Sequence, residues 1–228
     1  MAKNKGKINI VHSWNLENFN RRTETLEFIK GKLHNLQLPM ATEPSVYEKQ
    51  INSLLAGIHE KQEAGEVPWF FVLSDEPKIL NACSKVLPVS FALSTTRTVY
   101  PTSTDTLMRL FHQKPPMDDF APDPRGDTIK EARTSGLLIL DGVAETVAGA
   151  NKYSGRFADL FLHRTNYDLP TVFTMFYDAV FTKKTWDSIK ERISANIGAT
   201  SAGIINRHIS IVHFKTEPKT PTYNKIGV

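Results

Sequence analysis

The chain has 228 residues, with 28 Lys and Arg against 24 Asp and Glu, and a formal net charge of +4. That length suits one large domain with a short helical preface, and 40% hydrophobic with 23% charged residues is the balance of a globular protein, not a disordered one. One cysteine, Cys83, excludes an internal disulfide and a thiolate metal cluster. The basic start lacks the apolar core of a signal peptide, and no apolar run reaches the roughly 18 residues of a membrane helix, so the expected location is the cytoplasm.

In chain order, residues 1–15 form a basic lead-in, and apolar residues at helical spacing predict a helix over 16–36. After Pro39 and Pro44, a second helix is expected from Ser45 to Gln62, with Tyr47, Ile51, Leu54, Leu55 and Ile58 on one face. Gly65 and Pro68 end it. The fully apolar run Trp69–Leu73 reads as a strand buried on both faces, as in a parallel sheet. A helix over 78–87, a strand over 97–100 and a helix over 104–112 follow. Residues 114–127 hold four prolines and four aspartates and read as a loop. Gly136 opens a second buried strand, Leu137–Leu140, ending at Asp141. A helix over 155–164, a third buried strand over 171–176, a helix over 185–197 and an alternating strand over 208–214 complete the body, before a polar tail. Strands alternating with helices predict a mostly parallel sheet covered on both faces.

The sharpest local signal is Gly136-Leu-Leu-Ile-Leu-Asp141. A buried strand ending in aspartate sets a carboxylate at the carboxyl edge of the sheet, where P-loop proteins hold magnesium and phosphates. Alternatively, the aspartate only begins a turn.

The order of features resembles the AAA+ domain of bacterial helicase loaders of the DnaC and DnaI type and of the related transposition ATPase IstB. Leu137–Asp141 is similar to the Walker B strand. Leu160–Thr174, containing Leu169-Pro170-Thr171 and Thr174, is similar to the family's helix, its arginine and the sensor strand. Lys190–Ile197 is similar to the segment carrying the arginine fingers. The resemblance implies a three-layer α/β/α sandwich with a mostly parallel five-stranded P-loop (AAA+)-type sheet over residues 45–214. It also implies an N-terminal helical extension over 1–44 that binds a partner, and a loose tail over 215–228.

Departures from the family pattern shape the functional expectation. A phosphate loop needs glycines to curl the backbone, then Lys and Ser or Thr. Here the corresponding run is Ser74-Asp-Glu-Pro-Lys-Ile79: it has no glycine, Asp75 and Glu76 bring negative charge, and Pro77 lacks an amide donor. Lys78 is either a remnant of the Walker lysine or a solvated first-turn lysine. Gly142 follows Asp141 where an acidic residue is usual, with Glu145 three residues on. Met175-Phe176 replaces the polar end of the sensor strand. Arg192 remains in the finger segment as a candidate subunit-interface residue, or a plain surface arginine, while Asn196 stands where a second arginine is expected. The resulting expectation is a pseudo-ATPase with no cofactor, ATP and Mg entering only if the altered site functions.

The implied function is that of a helicase-loader-like DNA replication factor, from a phage or mobile element, binding a replicative helicase, a genuine loader or single-stranded DNA. It is expected to be capable of oligomerising. An active but unorthodox ATPase using Lys78, Asp141 and Glu145 is one alternative. A DNA-binding accessory protein or an inhibitor of a host loader is another. Lys183 and Lys184 are the candidate DNA contacts within the body, on charge. The seven histidines include no closely spaced metal-binding pair.

Overall fold

The computed structural model describes residues 48–95, 97–113, 123–145, 149–178 and 182–214. The expected helix over 16–36, the partner-binding segment 1–44 and the tail 215–228 lie outside these residues. The described elements are α1 (Glu48–Glu63), β1 (Trp69–Ser74), α2 (Pro77–Ser94), β2 (Val99–Ser103), α3 (Thr104–His112), α4 (Pro124–Thr134), β3 (Leu137–Asp141), a one-turn 3-10 helix (Ala150–Tyr153), α5 (Ser154–Asn166), β4 (Thr171–Phe176), α6 (Lys183–Ile197), α7 (Ala199–His208) and β5 (Ile209–Phe214).

The five strands form one parallel sheet in the order β2-β3-β4-β1-β5. Every residue of β1 is buried. This follows from a run with no polar residue before Ser74, which only a doubly covered strand can bury. Alternate residues divide between two cores. Trp69, Phe71 and Leu73 join Phe173, Phe157, Phe161, Ile189, Ile193 and Ile205 on the face covered by α5, α6 and α7. Phe70 and Val72 join Val172, Ile139 and the apolar sides of α1 and α2 on the other. The expected three-layer α/β/α sandwich is therefore present. Among the described residues, no helix is long and apolar enough to cross a membrane.

Three elements differ from the sequence expectation. Helix α2 does not stop at Leu87 but runs through Pro88 to Ser94. Proline removes one helical hydrogen bond and crowds the preceding turn, yet Leu87, Val89, Phe91 and Ala92 are all fully buried beyond or beside it, and that burial carries the helix on. Helix α4 begins inside the expected proline-rich loop, with Pro124 at its first turn, a position where the missing N–H costs nothing. Helix α7 follows α6 after a break at Gly198, whose φ is +93°. A β-carbon there would stand 2.6 Å from Ser154 Cβ, so both the backbone angle and the space require glycine.

The amino-terminal rim is held by one cation. Arg164 of α5 is fully buried. Its Nε donates to Thr171 Oγ1 over 2.9 Å, and its Nη1 to the carbonyls of Ala132 and Ser135 over 2.9 and 3.0 Å. Its Nη2 donates to the Pro170 carbonyl. Burial pushes the guanidinium down to about 9, while the carbonyl acceptors disperse its charge.

Candidate functional site at the carboxyl edge

The carboxyl ends of parallel strands are where open α/β sheets place their ligand sites. Here that edge gathers the connection after β1, the start of α2, Asp141, Glu145 and the end of β4.

Only Asp75 and Glu76 separate β1 from α2. Glu76 is the N-cap, and its Oε1 accepts the Lys78 N–H over 3.2 Å. The Ile79 N–H goes to the Glu76 carbonyl over 3.0 Å, and the Glu76 N–H to Ser74 Oγ over 3.1 Å. Pro77 has no N–H. Each backbone donor from Glu76 to Ile79 is therefore either missing or already engaged. A phosphate cradle needs several such donors free at a helix amino end. From Glu76 to Ile79 this connection offers none and sets a carboxylate in their path. Lys78 is exposed, and Ile79, 3% exposed, packs into the core where a magnesium-binding hydroxyl would be needed.

Asp141 ends β3 with its side chain exposed. Thr174, its register partner on β4, donates its hydroxyl to Asp141 Oδ1 over 2.7 Å, and Thr104 Oγ1 donates to the Asp141 carbonyl over 3.1 Å. Gly142 turns away at φ +73°, and the exposed Glu145 closes that turn through its N–H to the Gly142 carbonyl over 3.0 Å. Among the described residues no hydrogen bond or ion pair joins Lys78, Asp141 and Glu145 to one another. They share an edge without forming a connected site. At the end of β4 stands Phe176, 47% exposed and in register with Ser74.

The other expected site residues lie on α6. Thr182 caps this helix through a capping box with Thr185. Lys183 and Lys184 are exposed in its first turn. Lys184 and Arg192 line a shallow cavity of about 300 Å³ with Tyr177, Thr182, Thr185, Ser188 and Ile189. The nearby acid Asp187 is taken by Lys190 at 2.7 Å, whose hydrogen bond holds that carboxyl below the usual range. Lys184 and Arg192 have no ion pair among the described residues. Asn196, expected beside Arg192 in the finger segment, is among the buried residues of α6. It is 6% exposed, and its Nδ2 donates to the Val143 carbonyl over 3.1 Å. This amide ties α6 to the turn after β3.

The sequence reading missed Thr174 as the residue that orients Asp141. Asp141 ends the run of β3 whereas Thr174 lies within the buried run of β4, so their meeting depends on the register between the two strands. It also missed that Glu76 caps α2.

No family model matches the chain, and no curated protein matches it. Solved structures do. The crystal structure of the DnaC helicase loader aligns with a TM-score of 0.53 at 14% identity, over 82% of this chain and 98% of that one. The DnaI structure aligns with a TM-score of 0.53 at 13% identity, over 83% and 97%. A primosome component, so described for Streptococcus pyogenes serotype M3, aligns with a TM-score of 0.53 at 10% identity, over 82% and 94%. Strand order, layer arrangement and these alignments agree: the chain has the fold of a helicase-loader-type AAA+ domain.

Proposed function

We propose that this chain is a DNA replication factor of the helicase-loader kind that works without hydrolysing ATP, binding a replicative helicase, or a genuine AAA+ loader, in the cytoplasm. The single observation that carries the reading is the start of α2. A two-residue connection, a proline and a capping carboxylate stand where phosphates would need free amides. Phosphoryl transfer is catalysed almost wholly by positioning and electrostatic stabilisation, so a chain without the cradle keeps the scaffold and not the rate. Residues 1–44 serve in this reading as the partner-binding segment. Arg192 serves as a contact to a neighbouring protein, and Lys183 and Lys184 as contacts to single-stranded DNA.

Thermal melting with and without magnesium-ATP tests the nucleotide half. At millimolar ATP a micromolar site would add about 4 kcal/mol, a rise of several degrees for a domain of this size. The proposal expects no shift. Size-exclusion chromatography with a replicative helicase tests the partner half: co-elution at micromolar concentration is expected, and separate elution from both helicase and loader overturns it.

A second reading has one observation in its favour. Asp141 is exposed and held in one orientation by Thr174, as a metal-holding carboxylate would be. An unorthodox ATPase built on Lys78, Asp141 and Glu145 predicts a clear rise in melting temperature with magnesium-ATP, abolished in Asp141→Asn.

A further inference from the structure

Strand β5 is an edge of the sheet, and no described strand pairs with its outer side. All six of its residues, Ile209–Phe214, are half-buried. Ile209 and Ile211 pack against the core under α5, α6 and α7, and Val212 and Phe214 against the core under α1 and α2. Both layers therefore reach β5, and neither finishes covering it. An edge strand turns every second amide and carbonyl outward, where another strand can pair, and natural edges are blunted by charged residues, proline or a bulge. The opposite edge, β2, carries Pro101. Strand β5 has no lysine, no acid and no proline, and its register with β1 runs unbroken over all six residues.

The same pattern stands near the start of the chain. Ile8-Asn-Ile-Val-His12 repeats Ile209-Ser-Ile-Val-His213 at four of five positions. In a strand, alternation sets Ile8 and Ile10 on one face and Val11 on the other, the division that Ile209, Ile211 and Val212 show between the two cores. Residues 8–13 lie outside the described residues, and residues 14–47 join them to α1. Helix α1 shares its core with Val212 and Phe214, so the chain arrives on the β5 side of the sheet. The helix expected over 16–36 would be about 31 Å long, and residues 37–47 can span about 36 Å when extended. The segment therefore reaches β5.

We propose that residues 8–13 of the same chain add to the outer side of β5 as a further strand of the sheet. The new ladder satisfies the outward amides and carbonyls of β5, and the two isoleucines and the valine extend the two half-finished cores. Attachment to the chain favours this occupant over a second copy, because a tether holds the segment at an effective concentration in roughly the millimolar range. The inference goes beyond the proposed function and leaves residues 14–44 as the part that meets a helicase or loader.

The test is amide hydrogen exchange on the full chain, read residue by residue by NMR. Alternate amides of residues 8–13, those facing β5, should exchange at least about tenfold more slowly than in a free peptide of the same sequence. Ile10→Pro combined with Val11→Pro removes whichever of these two amides enters the ladder. That variant should return residues 8–13 to the peptide rate and speed the outer amides of β5, with the amides of β1 and β3 unchanged. Ile10→Val should keep the protection. Residues 8–13 exchanging at the peptide rate in the unaltered chain overturn the proposal, and so does protection that survives the double substitution. Protection that disappears on dilution, together with a dimer mass in sedimentation, assigns the edge to a second copy and overturns the same-chain assignment. Outer amides of β5 protected in a monomer, with residues 8–13 unprotected, assign the edge to the tail over 215–228 and overturn it equally.

Discussion

Thr174 donates its hydroxyl to Asp141 Oδ1 over 2.7 Å, joining the end of β3 to the middle of β4, its neighbour in the sheet. The bond is short because its acceptor is a carboxylate. It makes the direction of Asp141 a property of β4 as much as of β3. Thr174 is 1% exposed, so replacing it with valine keeps the shape and removes only the donor. Thr174→Val should cost about 1.5–3 kcal/mol, the range for a hydrogen bond to a charged group, read as a lower urea midpoint with unchanged slope. In the proposed function the same variant leaves helicase co-elution intact.

The N-cap at Glu76 gives a second prediction. Its side chain satisfies the Lys78 N–H, and a negative charge at a helix amino end is favoured by the helix dipole. Glu76→Ala should therefore lower stability by about 1 kcal/mol, and Glu76→Ser should recover most of it. A phosphate-binding helix end would behave oppositely, since removing a carboxylate from it would let phosphate stabilise the chain. Melting in phosphate and in chloride buffers of equal ionic strength distinguishes the two, and no phosphate-specific gain is expected for the wild-type chain.

Arg164 gives the largest effect. Truncation to alanine leaves a void and strands the carbonyls of Ala132, Ser135 and Pro170. Buried acceptors without donors and a large-to-small change together predict a loss of about 4 kcal/mol. Arg164→Lys should recover only part, because one ammonium cannot reach acceptors spread across α4 and the entries to β3 and β4. Equilibrium unfolding in urea measures both.

Cys83 predicts a pH dependence. Burial alone pushes its thiol up to about 12 from an ordinary 9.0. The unfolded chain therefore releases this proton first as pH rises. Between about 9 and 12 the native state binds more protons than the unfolded one, and stability falls with rising pH. Below about 9 the contribution is complete. Cys83→Ala should flatten the alkaline limb of a stability–pH curve. At pH 8 the native thiol should resist alkylation, labelling only as fast as the chain unfolds.

The sheet was legible because Trp69–Leu73 and Leu137–Leu140 are unbroken apolar runs bounded by Pro68, Ser74, Gly136 and Asp141. Helices α4 and α7 were not, because each turns little apolar surface inward. In α7, Ala202 and Ile205 are the buried apolar residues, too few to draw a period. The passage of α2 through Pro88 was hidden for another reason: tertiary burial of Phe91 and Ala92 overrides a local rule against proline. At the site, Asp141 could be placed from its strand alone. Its link to Thr174 depends on the register between β3 and β4, and the burial of Asn196 depends on the path of the turn carrying Val143. Both are set by three-dimensional contacts that no local pattern encodes.

Because a single side chain bonds the end of α4, the approach to β3 and the entry to β4, those segments cannot loosen separately without stranding a guanidinium. Their amides should exchange with deuterium as one cooperative block. The start of α2, where no side chain joins several segments in this way, should exchange sooner. The molecule would then breathe at the carboxyl edge and stay shut at the opposite rim.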